Sequence, residues 1–283
     1  MGTLYVVATP IGNLEDLSPR AIRVLADVAL IAAEDTRHTG RLLTRFGIKT
    51  PMVSYHAFNE RARRETLLDA LAVGDVALVS DAGTPGIADP GQDLVDAALG
   101  AGHTVSAVPG PSSLTAAASV SGLINGPFVA LGFLPRKGPD RARALAVAAT
   151  TRLPVTLFEA PTRLVATLRE LADVIGNRPA VVARELTKLH EEVRRDSLVN
   201  LAEHYERTGV RGEIVIVVDG SATDRPDDAI DDAAVVATLL RSGLKPSEAA
   251  REAARITGRP RSELYDVARS LGGWQADTKR QSG

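Results

Sequence analysis

The sequence contains no cysteine, which excludes disulfides, thiolate metal sites and a cysteine nucleophile. Aromatic residues make up only 4% of the chain, so alanine, valine and leucine must fill its interior. No apolar run approaches the ~20 residues of a membrane-spanning helix. The start, Met1-Gly-Thr-Leu-Tyr-Val-Val, lacks the basic segment and long apolar stretch of a secretory signal, so a cytoplasmic protein is expected. Charge of one sign is also missing: 33 basic residues face 35 acidic ones, a formal net charge of -2. That excludes a bulk basic signature for nucleic-acid binding and leaves room for local patches. His38, His56, His103, His190 and His204 show no metal-ligand spacing, so no metal site is expected. No G-x-G-x-x-G follows the first strand and no G-x-x-x-x-G-K-[ST] is present, which disfavours the common dinucleotide and nucleotide loops. A G-x-S-x-G elbow is absent, and Ser112-Ser113 have no obvious histidine partner for hydrolysis.

What is present is a chain of 283 residues, 45% hydrophobic, long enough for two domains. Its organising stretch is Ser80–Gly91, with three glycines and two prolines in twelve residues. Asp75–Val79 before it reads as a buried strand. Asp89–Gly100 reads as a helix capped by Asp89, with Pro90 at its first position. A plain strand-to-helix turn needs fewer residues. Glycines let backbone N–H groups approach a ligand, and prolines stiffen a loop. Two more strands end similarly: Tyr5–Ala8 at Thr9–Leu14, and Val105–Val108 at Pro109–Ser113. Three such ends point to one crevice, with Asp81 where strand ends commonly meet ligands. The plainer alternative is a tight structural turn.

Along the chain, Ser18-Pro19 opens a helix, Val28–Ala33 reads as a strand, and a helix runs from the Glu34–Thr39 cluster to Phe46, closed by Gly47. Met52–Phe58 reads as a strand and Asn59–Val73 as an amphipathic helix. The alternation implies an α/β domain with a mainly parallel sheet. Residues 1–117 are expected to form this domain and 118–222 a second α/β domain. The second contains strands at Phe128–Leu134, Val155–Phe158, Ala180–Leu186, Glu191–Arg195 and Gly212–Val218, with helices at 139–150, 161–176 and 198–207. A linker at 220–228 precedes a helical extension, 228–272, with helices at 229–242, 246–256 and 259–271. It reads slightly better as a small packed bundle than as a helix-turn-helix. Residues 276–283 read as disordered.

One acid, Asp81, with hydroxyls at Thr84, Ser112 and Ser113, suits a neutral-to-cationic ligand. Ser112 reads as a helix cap. Glu34, Asp35, Arg37 and His38 mix acid, base and imidazole at a strand end, where Asp35 or Thr36 could equally be a cap. Arg61, Arg63 and Arg64 lie beside Tyr55, His56 and Phe58, a combination that grips phosphates and stacks bases or simply forms a solvated helix face. Arg136 and Lys137 make a second basic loop. Lys188 could serve as a base if burial lowered its pKa.

Six segments together resemble one family: Leu4–Asp16, Ala33–Thr39, Ser80–Gly91, Pro109–Ser112, Gly132–Gly138 and Ala183–Lys188. The chain resembles the small-subunit ribosomal RNA cytidine 2′-O-methyltransferases of the tetrapyrrole methylase superfamily, over roughly residues 4–220. The resemblance implies a two-domain fold and a homodimer with S-adenosylmethionine in the interdomain cleft. It implies methylation of a decoding-centre cytidine ribose in 16S ribosomal RNA. By position, the cofactor would touch Ile11, Asp81, Thr84, Ser112, Ser113, Glu159, Ala183 and Ile214. Arg37, Arg136 and Lys137 would face RNA, and Lys188, Glu34, Asp35 and His38 are the candidate proton acceptors. The superfamily's Gly-Asp-Pro loop reads Ser80-Asp81-Ala82 here, keeping the acid alone. A tetrapyrrole methyltransferase and a non-catalytic RNA-binding protein are the competing readings.

Overall fold

A computed structural model describes residues 2–220, 232–241, 244–257 and 259–278. Five short strands, β1 (Thr3–Val7), β2 (Leu30–Ala33), β3 (Met52–Ser54), β4 (Val76–Val79) and β5 (Thr104–Val108), form a sheet ordered β3-β2-β4-β1-β5. Every pairing in it is parallel. Helices α1 (Pro19–Asp27), α2 (Thr36–Arg45), α3 (Glu60–Val73), α4 (Gln92–Gly100) and α5 (Ser113–Ser121) connect or follow these strands.

Strand β4 shows why the sheet is covered on both faces: all four of its residues are buried. Ala77 and Val79 pack with Leu25 of α1 and Leu42 of α2, whereas Val76 and Leu78 pack with Leu67 of α3 and Leu94 of α4. Successive side chains of a strand point to opposite faces, so an unbroken apolar run requires a layer on each side. Local signals set the ends. Ser18 Oγ accepts from Ala21 N–H to start α1, and Gly47 takes φ +68° just past α2.

The second sheet comprises β6 (Val129–Phe133), β7 (Val155–Glu159), β8 (Pro179–Arg184), β9 (Glu192–Ser197) and β10 (Ile214–Val218), ordered β6-β7-β10-β8-β9. Only β6 and β7 pair in parallel; the other contacts are antiparallel. Helices α6 (Pro139–Thr150), α7 (Leu164–Ile175) and α8 (Leu198–Thr208) cover one face. On the other, Val181, Ala183, Val215 and Val217 pack with Ile11, Ala117 and Leu123. Helix α5 therefore packs on the second sheet although it follows the first. For that reason residue 117, the expected boundary, falls within α5, and the chain passes between sheets over residues 122–128.

Residues 1–221 form one compact unit and residues 222–283 another. In the second, α9 (Asp232–Arg241), α10 (Pro246–Thr257) and α11 (Arg261–Thr278) bury Val236, Ala250, Ala253, Leu264 and Ala268 against one another. Small alanines let these helices approach closely.

Several expectations need correction. The helix expected from Asp89 starts at Gln92, with Gly91 as its cap. The strand expected over Met52–Phe58 ends at Ser54. Ser112 stands at the start of α5 but makes no side-chain cap. Helix α11 continues through Thr278, beyond the expected end of order at 275, and residues 279–283 lie outside the described residues. Most of the expected linker, 221–228, also lies outside them. No helix among the described residues is long and apolar enough to cross a membrane.

Candidate active site

Parallel pairing brings the C-terminal ends of β1, β2, β4 and β5 to one edge of the first sheet. The loops there are cross-braced. Thr9 and Gly83 exchange backbone hydrogen bonds of 2.8 and 3.0 Å. Thr9 Oγ1 donates to the Ser80 carbonyl at 3.1 Å, and Thr84 Oγ1 donates to the Pro111 carbonyl at 3.2 Å. Gly91 ends the loop with φ +142°, and a Cβ there would sit 2.8 Å from Leu78 Cδ2. Glycine alone tolerates that backbone and that approach. Gly91, not Asp89, therefore starts the helix, which leaves Asp89 in the loop.

Between these loops and the second sheet lies a cavity of about 340 Å³. Ile11, Asp81, Thr84, Ser112 and Ser113 line it from the first sheet's side. Glu159, Ala183 and Ile214 line it from the second. All eight positions expected to touch a cofactor thus share one cavity. Glu34 lines it too. Sequence reasoning missed Asp89, Glu213 and an apolar wall of Phe133, Phe158, Leu186 and Val215. The 5.2 Å pairing of the Phe133 and Phe158 rings joins separate strands, which no local pattern shows.

Five lining residues are acidic and none is Lys, Arg or His. Two of the acids are latched together. Asp81 N–H donates to Glu34 Oε2 at 3.2 Å, and Asp35 N–H donates to Asp81 Oδ1 at 3.0 Å. Burial pushes the Glu34 carboxyl up against the opposing pull of the Asp81 N–H, and the Asp81 charge adds to the rise. Asp89 is raised to about 6, first by burial and then by the charge of Glu34, with Asp81 and Glu213 adding less and the Ser80 hydroxyl opposing. Glu159 is committed elsewhere: its fully buried carboxylate pairs with Arg163 at 2.5 Å and accepts from Thr167 Oγ1 at 2.6 Å. It fixes the cavity wall rather than presenting a free charge.

Among the described residues, the non-glycine residues with left-handed backbone are Ala88, Glu185 and Thr187. Ala88 lines the cavity, and the other two flank Leu186, which also lines it. Strain of this kind persists where surrounding structure holds it and tends to gather at functional sites.

The remaining expected residues stand outside the lining. Lys188, a candidate base by sequence, donates to Glu185 at 3.0 Å and pairs with Glu213 at 3.3 Å. Burial lowers its pKa, but these two carboxylates outweigh burial and leave it above the ordinary lysine value. These contacts favour the protonated form of the side chain. Its structural use is clear from Gly12, where a Cβ would collide with Lys188 Cγ and Thr187 Oγ1. Asn13 N–H also donates to Thr187 Oγ1 at 3.0 Å, so the first loop of one half is tied to the 185–191 segment of the other. Asp35, another candidate by sequence, caps α2, and the Arg37 guanidinium and N–H hold its carboxyl down at about 2. A carboxylate that weakly basic is a poor proton acceptor. His38 is exposed on the first turn of α2. The Arg37 side chain is 87% exposed three residues beyond Glu34, and Arg136 and Lys137 are exposed just beyond Phe133. Among the described residues no cluster of three or more His, Asp or Glu could hold a metal ion.

The tetrapyrrole (corrin/porphyrin) methylase model matches residues 3–202, and the RsmI C-terminal HTH domain model matches residues 226–272. The latter supports the helix-turn-helix reading of the tail over the plain bundle. Ribosomal RNA small subunit methyltransferase I of Xylella fastidiosa strain Temecula1 is 48% identical over 268 residues, 93% of this chain and 98% of its own. The protein of that name from Synechocystis is 45% identical over 275 residues, 96% of this chain and 99% of its own. Among solved structures, uroporphyrin-III C-methyl transferase of Thermus thermophilus, complexed with S-adenyl homocysteine, superposes with a TM-score of 0.57 at 22% identity, covering 77% of this chain and 97% of its own. At that identity the likeness concerns the fold alone. These matches show that the chain belongs to the tetrapyrrole methylase family, in the branch of the ribosomal RNA small subunit methyltransferases I.

Proposed function

We propose that the chain methylates the ribose 2′-hydroxyl of a cytidine in the decoding centre of 16S ribosomal RNA, with S-adenosylmethionine as donor. The observation that carries this reading is the cavity's lining: Glu34, Asp81 and Asp89, which no ion pair among the described residues neutralises, beside an aromatic and aliphatic wall with no Lys, Arg or His in it. Such a lining repels the phosphates of dinucleotides and ATP and suits a cation with an apolar ring system. The residues present therefore fit a sulfonium donor carrying an adenine. When bound, S-adenosylmethionine supplies a methyl group already activated by the positive sulfur.

The chain's own residues would hold and orient. Phe133, Phe158, Leu186 and Val215 offer the apolar surface; Asp81, Thr84, Ser112 and Ser113 offer the polar contacts. The cross-braced loops hold these groups in place before any ligand arrives, which limits the cost of ordering. Arg37, Arg136 and Lys137, exposed beside the cavity-lining elements, supply phosphate contacts that position RNA without reading its sequence. The name of the relatives supports the small ribosomal subunit as partner, and a homodimer is part of the same proposal.

Two measurements test the reading. Calorimetry should show S-adenosylmethionine binding to the purified protein. Labelled methyl should then move to small subunits lacking the modification, and not to a precorrin. Transfer to the precorrin alone would favour the tetrapyrrole reading, and absence of donor binding would reject both.

A further inference from the structure

Removing a 2′-hydroxyl proton needs an acceptor inside the cavity, and the geometry narrows the choice. Lys188 is outside the lining and held by two carboxylates. Asp35 is locked by Arg37, and His38 is exposed on α2. Glu159 is bound by Arg163 and Thr167. Glu213 faces Lys188 and is 66% exposed. Asp81 accepts from Asp35 N–H, and Glu34 accepts from Asp81 N–H, so each has an oxygen engaged in joining β2 to β4. Asp89 remains. It lines the cavity, is only partly exposed, and among the described residues no ion pair holds it. The strained Ala88 and the steric demand at Gly91 fix the loop on either side of it.

We infer that Asp89 is the proton acceptor of the methyl transfer and that Glu34 is a positioning residue that tunes it. This rests on the functional reading above. In the step, the ribose O–H bond breaks and its proton goes to an Asp89 carboxylate oxygen. The ribose oxygen forms the new O–C bond to the methyl carbon. The pair of the breaking C–S bond leaves on sulfur, whose positive charge is thereby neutralised. Charge is conserved: one carboxylate is neutralised, one sulfonium is neutralised, and a neutral ether forms.

The charged groups facing Asp89 are Glu34 at the end of β2, Asp81 at the end of β4 and Glu213 before β10; the Ser80 hydroxyl also reaches it. All three charges are negative, so they favour the proton on Asp89 and strengthen it as a base. A carboxyl that titrates at about 6 is mostly ionised at neutral pH yet basic enough to accept a proton, the compromise that general-base catalysis favours.

The test uses the full-length protein, small ribosomal subunits lacking the modification, and Asp89→Asn and Glu34→Gln variants. Transfer rates are measured from pH 5 to 8.5 with saturating donor. Wild type should show an acid limb, below the value of the unliganded carboxyl because the bound sulfonium favours the charged form. Asp89→Asn should lose about 10²–10⁴-fold in rate and lose that limb. Its calorimetric affinity for S-adenosylhomocysteine should stay within about threefold of wild type, which also shows that the variant is folded. Glu34→Gln keeps the acceptor for Asp81 N–H but not the charge. It should retain the limb, displaced to lower pH. Carbon NMR of aspartate-labelled protein without ligand should place one carboxyl near 6, absent from Asp89→Asn. If Asp89→Asn methylates at the wild-type rate, or if Glu34→Gln alone loses the limb, the inference is overturned. If the wild type itself transfers no methyl to ribosomal subunits, the functional reading fails first.

Discussion

Replacing Asp89 by asparagine should stabilise the unliganded protein at neutral pH. The folded state raises this carboxyl from 3.8 to about 6, so between those values the native state binds more protons than the unfolded one. Stability then falls as pH rises through that window. The penalty is fully present above about pH 6 and absent below 3.8. The full difference corresponds to about 3 kcal/mol; partial exposure reduces it to about 1–3 kcal/mol. Asparagine has nearly the same shape and no charge to desolvate, so it should recover this amount. For a compact unit of this size that is a rise of about 2–12 °C in melting temperature. Thermal unfolding of wild type and variant at pH 5, 6, 7 and 8 measures it. The gap should open with rising pH and close toward pH 4. A variant less stable than wild type at pH 7.5, with an unchanged pH dependence, would refute the reasoning. Natural proteins carry such a stability cost where activity requires it.

Asp81→Asn should keep an acceptor for Asp35 N–H and lose the charge, weakening S-adenosylmethionine binding by about 10–100-fold, as expected for a charged hydrogen-bond partner; calorimetry within twofold of wild type would reject the contact. Lys188→Met should leave Glu185 and Glu213 facing each other without their cation, and stability at pH 8 should fall by about 1–2 kcal/mol, with less loss at pH 4.5; urea unfolding at the two pH values reads this. Neutralising Arg136 and Lys137 together should weaken RNA binding at low salt, reduce the salt slope by about two and leave donor affinity unchanged. Leu168→Ala, at a fully buried position of α7, should cost about 2–5 kcal/mol in denaturant unfolding.

Much of this architecture was legible because its signals are local. The run Ile214–Val218 reads as a central strand and is buried at all five positions. Ser18-Pro19 and Gly47 mark helix ends by cap chemistry and backbone preference, and the structure places them there. The shared-edge crevice followed from three strands ending in Gly/Pro loops. What sequence could not give is set by distant contacts. Asp89-Pro90 has the composition of a helix start, but the approach of Leu78 to residue 91 moves that start and turns Asp89 into a cavity acid. Lys188 reads as a candidate base until Glu213, from the segment just before β10, is brought beside it. The expected boundary at 117 falls within α5, which packs on the sheet that follows it, and only tertiary packing shows that.

The most direct test is mass spectrometry of nucleosides from small-subunit ribosomal RNA of cells lacking this protein. The account expects one 2′-O-methylcytidine to vanish from the decoding centre and to return with the wild-type chain but not with Asp89→Asn. An unchanged content of that nucleoside in the deletion strain would contradict the account.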